Sequence, residues 1–263
     1  MLGKLFKYEM KATSRIFLPV YIAVVLFAAL GRLVTGIDLF SNELSWLSGI
    51  FMGTYVLVIV ATAVLTYIVV IQRFYKNLLT DEGYLMFTLP VKPSRLILSK
   101  LFSAMLWSVC SLVVILLSLV ILAANAEFFH RLPELWQTFV GAFQKEFGGY
   151  STGVFIEIIA LIITALFASM MLFFVSIAVG QLISRHKIAG AFAAYLLISF
   201  IVEIVLVIIL LLVGAAQGFN LSSVDNFTGI TVILPIMIVL ELVLGCVYFI
   251  VANLIFKKRI NLE

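Results

Sequence analysis

Six long apolar runs separated by polar segments dominate this chain of 263 residues. They fall at about 16–36, 48–72, 100–124, 153–181, 189–214 and 230–256. Each run is continuous rather than alternating, which excludes the strands of a closed barrel. Each is long enough to cross bilayer hydrocarbon as a helix, which takes roughly 20 residues. Arg32 sits near the outer end of the first run, where its side chain can snorkel to the headgroups.

Two further segments have helical periodicity but are too polar to cross. In LGKLFKYEMKATSRIF, at 2–17, Leu2, Leu5, Phe6, Met10, Thr13 and Ile16 share one face, and Lys4, Lys7, Lys11 and Arg15 line the opposite one. Glu9 breaks the pattern by falling on the apolar side. A basic amphipathic segment ahead of a span predicts an interfacial helix over 2–16, an elbow lying along the membrane surface. The alternative is an ordinary basic leader with no fixed helix. In PELWQTFVGAFQKEF, at 133–147, Leu135, Trp136, Phe139, Val140, Phe143 and Phe147 form one apolar face. Pro133 suits the first turn, and Gly148-Gly149 suits the stop. That pattern predicts a second interfacial helix, on the outer leaflet.

Composition supports the bilayer as solvent. Hydrophobic residues make up 64% of the chain and charged residues only 11%, against about a quarter charged in soluble domains. The 17 lysines and arginines divide 14 to 3 between the two sides that six spans define. The positive-inside rule therefore predicts that both termini are cytoplasmic. The net charge of +4 is spread between apolar runs, which does not fit a nucleic-acid partner. The first run exceeds a signal-peptide core and no A-x-A site follows it, so the segment is expected to be retained. Cys110 and Cys246 lie inside apolar runs, and His130 and His186 lie in different loops, so no disulfide or zinc set is expected.

The most specific stretch joins spans two and three: RFYKNLLTDEGYLMFTLPVKPSRLILSK. A connector that only turned the chain would need a handful of residues. Here Thr80 can cap a short helical turn, with Asp81 and Glu82 favoured by its dipole. Gly83 leads into an apolar cluster of Tyr84, Leu85, Met86 and Phe87. Pro90 and Pro93 stiffen the return, and Ser94 can cap the next helix. An exposed aromatic cluster marks a protein contact or a membrane surface, and the acidic pair favours a protein groove. The alternative is a loop folded back on its own bundle.

The elbow KLFKYEMKATSR, the phrase YKNLLTDEGYLMFTLPVKPSRLILSKL and the six-span layout together resemble the permease subunits of type-2 ABC transporters, in particular bacterial six-span exporters of peptides and drugs. The middle phrase is the specific part, and the likeness covers essentially the whole chain. The resemblance implies an all-α integral membrane protein, a single membrane domain over residues 1–263, in the bacterial plasma membrane. It implies a coupling helix over Thr80, Asp81, Glu82, Gly83, Tyr84, Leu85, Met86 and Phe87 that docks into a cytosolic ATPase subunit present in two copies. Ser184, Arg185, His186 and Lys187 would supply a smaller second contact. A second permease, identical or a sister, would complete the assembly, and an amphipathic substrate, by preference a peptide toxin or antimicrobial, would leave the cell. This chain would bind no cofactor and catalyse nothing, with ATP and magnesium held by the partner. The residues agree on one point: no G-x-x-x-x-G-K-[ST] loop, H-E-x-x-H or G-x-S-x-G occurs.

Glu157, Glu203 and Glu241 lie inside apolar runs with no lysine or arginine at their depth. A carboxylate near the bilayer centre costs a few kcal/mol on insertion scales. These three are candidates for the substrate path, for a proton site or for hydrogen bonds at a helix interface. Tyr195 and Ser199 precede Glu203 by two turns and one, giving a polar stripe. A proton-coupled secondary transporter working through Glu203 and Glu241 is the competing expectation, and a structural membrane subunit is a third. Gly49 and Gly53 form a GxxxG pair, a weak signal in so apolar a chain.

Overall fold

The structure is a computed structural model that describes residues 2–35, 45–79, 91–183, 186–216 and 226–258. Seven helices follow in order among these residues: α1 (Leu2–Thr35), α2 (Ser45–Leu79), α3 (Pro93–Ala123), α4 (Ala126–Phe147), α5 (Ser151–Gly180), α6 (Lys187–Ala216) and α7 (Asn226–Lys258), with a single 3₁₀ turn at Gly148–Tyr150. Six helical segments are long and apolar enough to cross a membrane, in agreement with the six predicted runs. The chain is a multi-pass membrane protein by this measure.

Helix ends follow local chemistry. Pro93 opens α3, where a missing N–H is harmless, and the Lys92 carbonyl accepts the Arg95 N–H at 2.9 Å. Ser94, predicted to cap, therefore lies inside the first turn. Helix α4 begins seven residues before its predicted start, because Asn125 caps it: its side-chain oxygen accepts the Phe128 N–H at 2.5 Å, and its carbonyl accepts the Phe129 N–H at 3.1 Å. Pro133 is consequently inside the helix. Gly148 ends α4 with φ of +52°, a conformation that a side chain disfavours.

The largest departure from expectation is α1. The amphipathic segment and the first span form one uninterrupted helix of 34 residues, about 51 Å long at 1.5 Å per residue. No elbow separates them. Nothing between Leu2 and Leu18 breaks a helix, and Pro19 is tolerated inside it. The predicted apolar face is not spread on a membrane surface either. Glu9, Thr13, Phe17, Tyr21, Val24 and Ala28 are buried along it within the protein.

Backbone packing resolves two compact units, Met1–Arg73 with Leu98–Thr138, and Phe74–Ile97 with Phe139–Glu263. The first has a core of Phe17, Tyr21, Val69 and Trp107, with Met10, Cys110 and Val114 packed against it. Phe17 stacks on Trp107 with ring centroids 4.6 Å apart. The second is organised around α5, which packs along α7 and α6. Phe74 stacks face to face on Phe174 at 3.8 Å, and Phe256 meets it edge-on at 5.8 Å. Leu78, Leu96 and Ile97 are also fully buried. Thus both arms of the 80–92 connector, residues 74–79 and 93–97, carry side chains buried in the second unit. Exposed apolar side chains such as Leu57, Phe200 and Leu254 cover the helices elsewhere, as expected of surfaces whose solvent is lipid.

Close helix approach occurs at Gly180, where an added Cβ would meet the backbone of Ala191, and at Gly245, where it would meet the Phe167 ring. At Gly49 and Gly53 an added Cβ would meet nothing within 4 Å, so the GxxxG pair marks no close contact among the described residues. Gly180→Val is expected to destabilise the protein by about 1–3 kcal/mol, since backbone cannot yield as a side chain can. Gly49→Val should leave stability nearly unchanged. Thermal unfolding of both variants in detergent, followed by tryptophan fluorescence, checks the contrast.

Candidate functional site

A chain of buried polar contacts runs through the first unit, and its anchor is Glu9. Glu9 lies on the buried face of α1, with 7% of its surface exposed. Its Oε1 accepts a hydrogen bond from Lys100 Nζ on α3 at 2.6 Å. Its Oε2 accepts two from Arg73 on α2, from Nη2 at 3.1 Å and Nε at 3.3 Å. One carboxylate thus ties three helices together. An isolated charge at such burial would be costly, and two cations with good geometry compensate it.

Further contacts continue along α1. Thr13 Oγ1 donates to the Glu9 carbonyl at 2.7 Å and accepts from Trp107 Nε1 at 2.6 Å. Ser103 Oγ lies 3.4 Å from Met10 Sδ. Two turns on, the Tyr21 hydroxyl donates to the Trp107 carbonyl at 3.1 Å and shares a 2.7 Å hydrogen bond with Ser111. Ser111 in turn bonds Thr66 at 2.8 Å. Tyr55 and Ser118 make a separate pair at 2.7 Å. Helices in lipid gain little from apolar contact with each other, so such bonds carry much of the specificity of packing. Each of these side chains has at least one partner on another helix, which sets the rotation of α1, α2 and α3 about their axes.

The predicted site residues are placed less compactly. Thr80 to Phe87 lie outside the described residues, as do Ser184 and Arg185. His186 is exposed and Lys187 is half-buried where α6 begins, and the His186 carbonyl accepts the Gly190 N–H at 2.8 Å. Glu157 is half-buried on α5, and its Oε2 is shielded from solvent with no hydrogen-bond partner among the described residues. Glu241 is half-buried on α7. Glu203 is exposed on α6. The stripe predicted to serve Glu203 does not reach it: Ser199 donates to the Leu196 carbonyl at 3.1 Å, and the Tyr195 ring stacks on Phe173 at 5.0 Å. No hydrogen bond or ion pair joins the three carboxylates among the described residues. No group of histidine, cysteine and carboxylate side chains there is arranged to hold a metal ion.

Glu9, Arg73 and Lys100 were legible separately, as a misplaced carboxylate and two topology-setting bases. What pairs them is the packing of α1 parallel to α3 and antiparallel to α2, which no local pattern displays. The chain matches no protein-family model, no curated protein and no solved structure.

Glu9→Gln is expected to lower stability by about 3–5 kcal/mol, because it leaves two buried or half-buried cations without their counter-charge. Lys100→Met in the same chain should recover part of that loss. A double-mutant cycle on thermal unfolding measures the coupling, and additive effects of the two changes would contradict the clamp.

Proposed function

We propose that this chain is the membrane-spanning subunit of an ATP-driven exporter, with a separate cytosolic ATPase engaging the connector between α2 and α3. The single observation that carries the proposal is the connector itself, TDEGYLMFTLPVKPSR, held between two helices that are far longer than a span requires. Helix α2 has 35 residues, about 52 Å against roughly 30 Å of hydrocarbon. A helix of that length has a surplus over the hydrocarbon thickness that would extend past the membrane surface.

The flanking geometry suits a lever. Phe74 and Leu78 on one arm and Leu96 and Ile97 on the other are locked in tight packing. Arg73 and Lys100, a turn or less further along the same two helices, are tied to α1 by the Glu9 carboxylate. A push on Thr80 to Phe87 would enter two continuous helices whose roots are cross-linked, and so would move them together instead of bending one alone. Asp81 and Glu82 would meet basic groups of the ATPase, and Tyr84, Leu85, Met86 and Phe87 would fill its groove. His186 and Lys187, with Ser184 and Arg185, would form the lesser contact. ATP and magnesium would belong to the ATPase.

Glu203 supports a second copy of the chain in the assembly. A carboxylate exposed on a membrane-spanning helix needs a polar neighbour, and another protomer packed on α6 would provide one. Glu157 and Glu241, half-buried on α5 and α7, are the groups proposed to meet a cationic amphipathic substrate such as a peptide. The orientation follows the charge asymmetry, with both termini and the connector cytoplasmic in a bacterial plasma membrane.

Affinity purification from membranes of the native host tests the core of the proposal. The wild-type chain is expected to bring down a phosphate-loop ATPase with magnesium-dependent ATP hydrolysis. Glu82→Ala and Tyr84→Ala should each reduce its recovery about tenfold or more, as loss of a hot-spot contact does, while the chain itself stays folded. Substrate flux driven by a proton gradient, with no such ATPase on the chain, would overturn the proposal in favour of a secondary transporter.

A further inference from the structure

The packing of α1 has a consequence for its opposite face. Burial of Glu9, Thr13, Phe17, Tyr21, Val24 and Ala28 fixes the rotation of the helix. Lys4, Lys7, Lys11 and Arg15, spaced i, i+3, i+7 and i+11, are all exposed as a result. The same stripe continues without a change of face into Leu18, Ile22, Leu26 and Leu33, which are 53%, 59%, 57% and 62% exposed. The solvent-facing side of one rigid helix therefore switches from cationic to apolar between Arg15 and Leu18.

We propose that this stripe is a binding site for anionic membrane lipid, with the phosphate-bearing headgroup on the bases and an acyl chain along the apolar continuation. Two features fit that ligand and not a soluble anion. The charged and apolar portions are collinear, as the two parts of a phospholipid are. The switch also falls where a polypeptide entering hydrocarbon must trade charge for apolar surface. The four bases span about 16 Å of helix axis at 1.5 Å per residue. Arg15 and Lys11 lie nearest the apolar portion and meet headgroups directly. Lys7 and Lys4 stand further out and act through a potential that fades within a Debye length, about 8–10 Å at ordinary ionic strength. The site depends on α1 crossing a bilayer and not on the proposed transport activity, so the two stand or fall separately.

The test uses the full-length protein reconstituted in phosphatidylcholine vesicles, with spin-labelled phosphatidylglycerol or spin-labelled phosphatidylcholine as the probe. Electron spin resonance reads the relative association of each probe with the protein. The wild-type chain is expected to favour phosphatidylglycerol by about fivefold, the equivalent of one base fully engaged at a charged surface. That preference should vanish near 1 M salt, where screening shortens to about 3 Å. The Lys4→Gln, Lys7→Gln, Lys11→Gln, Arg15→Gln variant should bring the ratio close to one, while Lys145→Gln should not change it. Should the fourfold variant fail to fold, the pairs are measured separately, and Lys11→Gln with Arg15→Gln should lose more selectivity than Lys4→Gln with Lys7→Gln. A wild-type chain without selectivity, or folded variants that keep all of it, would overturn the proposal.

Discussion

The first unit depends on one carboxylate with two cations. Glu9 is the only acidic group among residues 2–35, and it reaches Arg73 on α2 and Lys100 on α3 through three hydrogen bonds of 2.6–3.3 Å. In water such a triad would contribute little, because solvation competes with it. Here the alternative to pairing is a buried charge beside lipid-facing helices, and that alternative is severe. The constraint is one of geometry more than of net energy. A ring of apolar contacts would tolerate rotation or a one-residue slip of α1, whereas the forked Arg73 contact and the Lys100 contact do not.

Everything else along α1 takes its place from that rotation. Thr13, one turn on, can receive the Trp107 indole N–H only if Glu9 faces inward. Tyr21 reaches Ser111 on the same face, and Phe17 lies between them against Trp107. The polar contacts and the aromatic stack thus alternate along one seam, each making the other's register more specific. The second unit is built differently. Its cohesion is steric, with Phe74 on Phe174, Phe167 over Gly245, and Gly180 against the backbone of Ala191. Small residues let the helices approach closely there, and aromatic rings fill the space between them.

The sequence displays the architecture well because the bilayer imposes a length and a composition on every span. The six runs and the stop at Gly148 follow from rules local to a segment. The failures share a cause. A helical wheel sets Lys4, Lys7, Lys11 and Arg15 opposite an apolar face and so predicts an elbow, but a wheel does not say whether lipid or protein covers that face. Glu9 held the answer: a lone carboxylate within an apolar arc calls for a cation from another helix, which a membrane surface rich in anionic lipid would not supply. Sidedness alone places Arg73 and Lys100 among the cytoplasmic bases and does not display their shared partner. Pro133 suits a first turn and so predicts a later start for α4, whereas Asn125 supplies a side-chain cap upstream.

A continuous α1 changes what its basic face is for. An elbow lying flat would turn its bases toward water, with its apolar face in the membrane. A helix that enters the membrane lengthwise, with Phe17 and Tyr21 of its apolar face already covered by Val69 and Trp107, presents those bases sideways, toward the headgroups. The same inward pull that orients Glu9 toward Arg73 and Lys100 therefore orients Lys11 and Arg15 toward lipid. Neutralising Glu9 would relax both constraints at once, whereas neutralising Lys11 and Arg15 would leave the clamp untouched. Loss of charge on the outer stripe thus separates the role of the surrounding membrane from that of the internal packing.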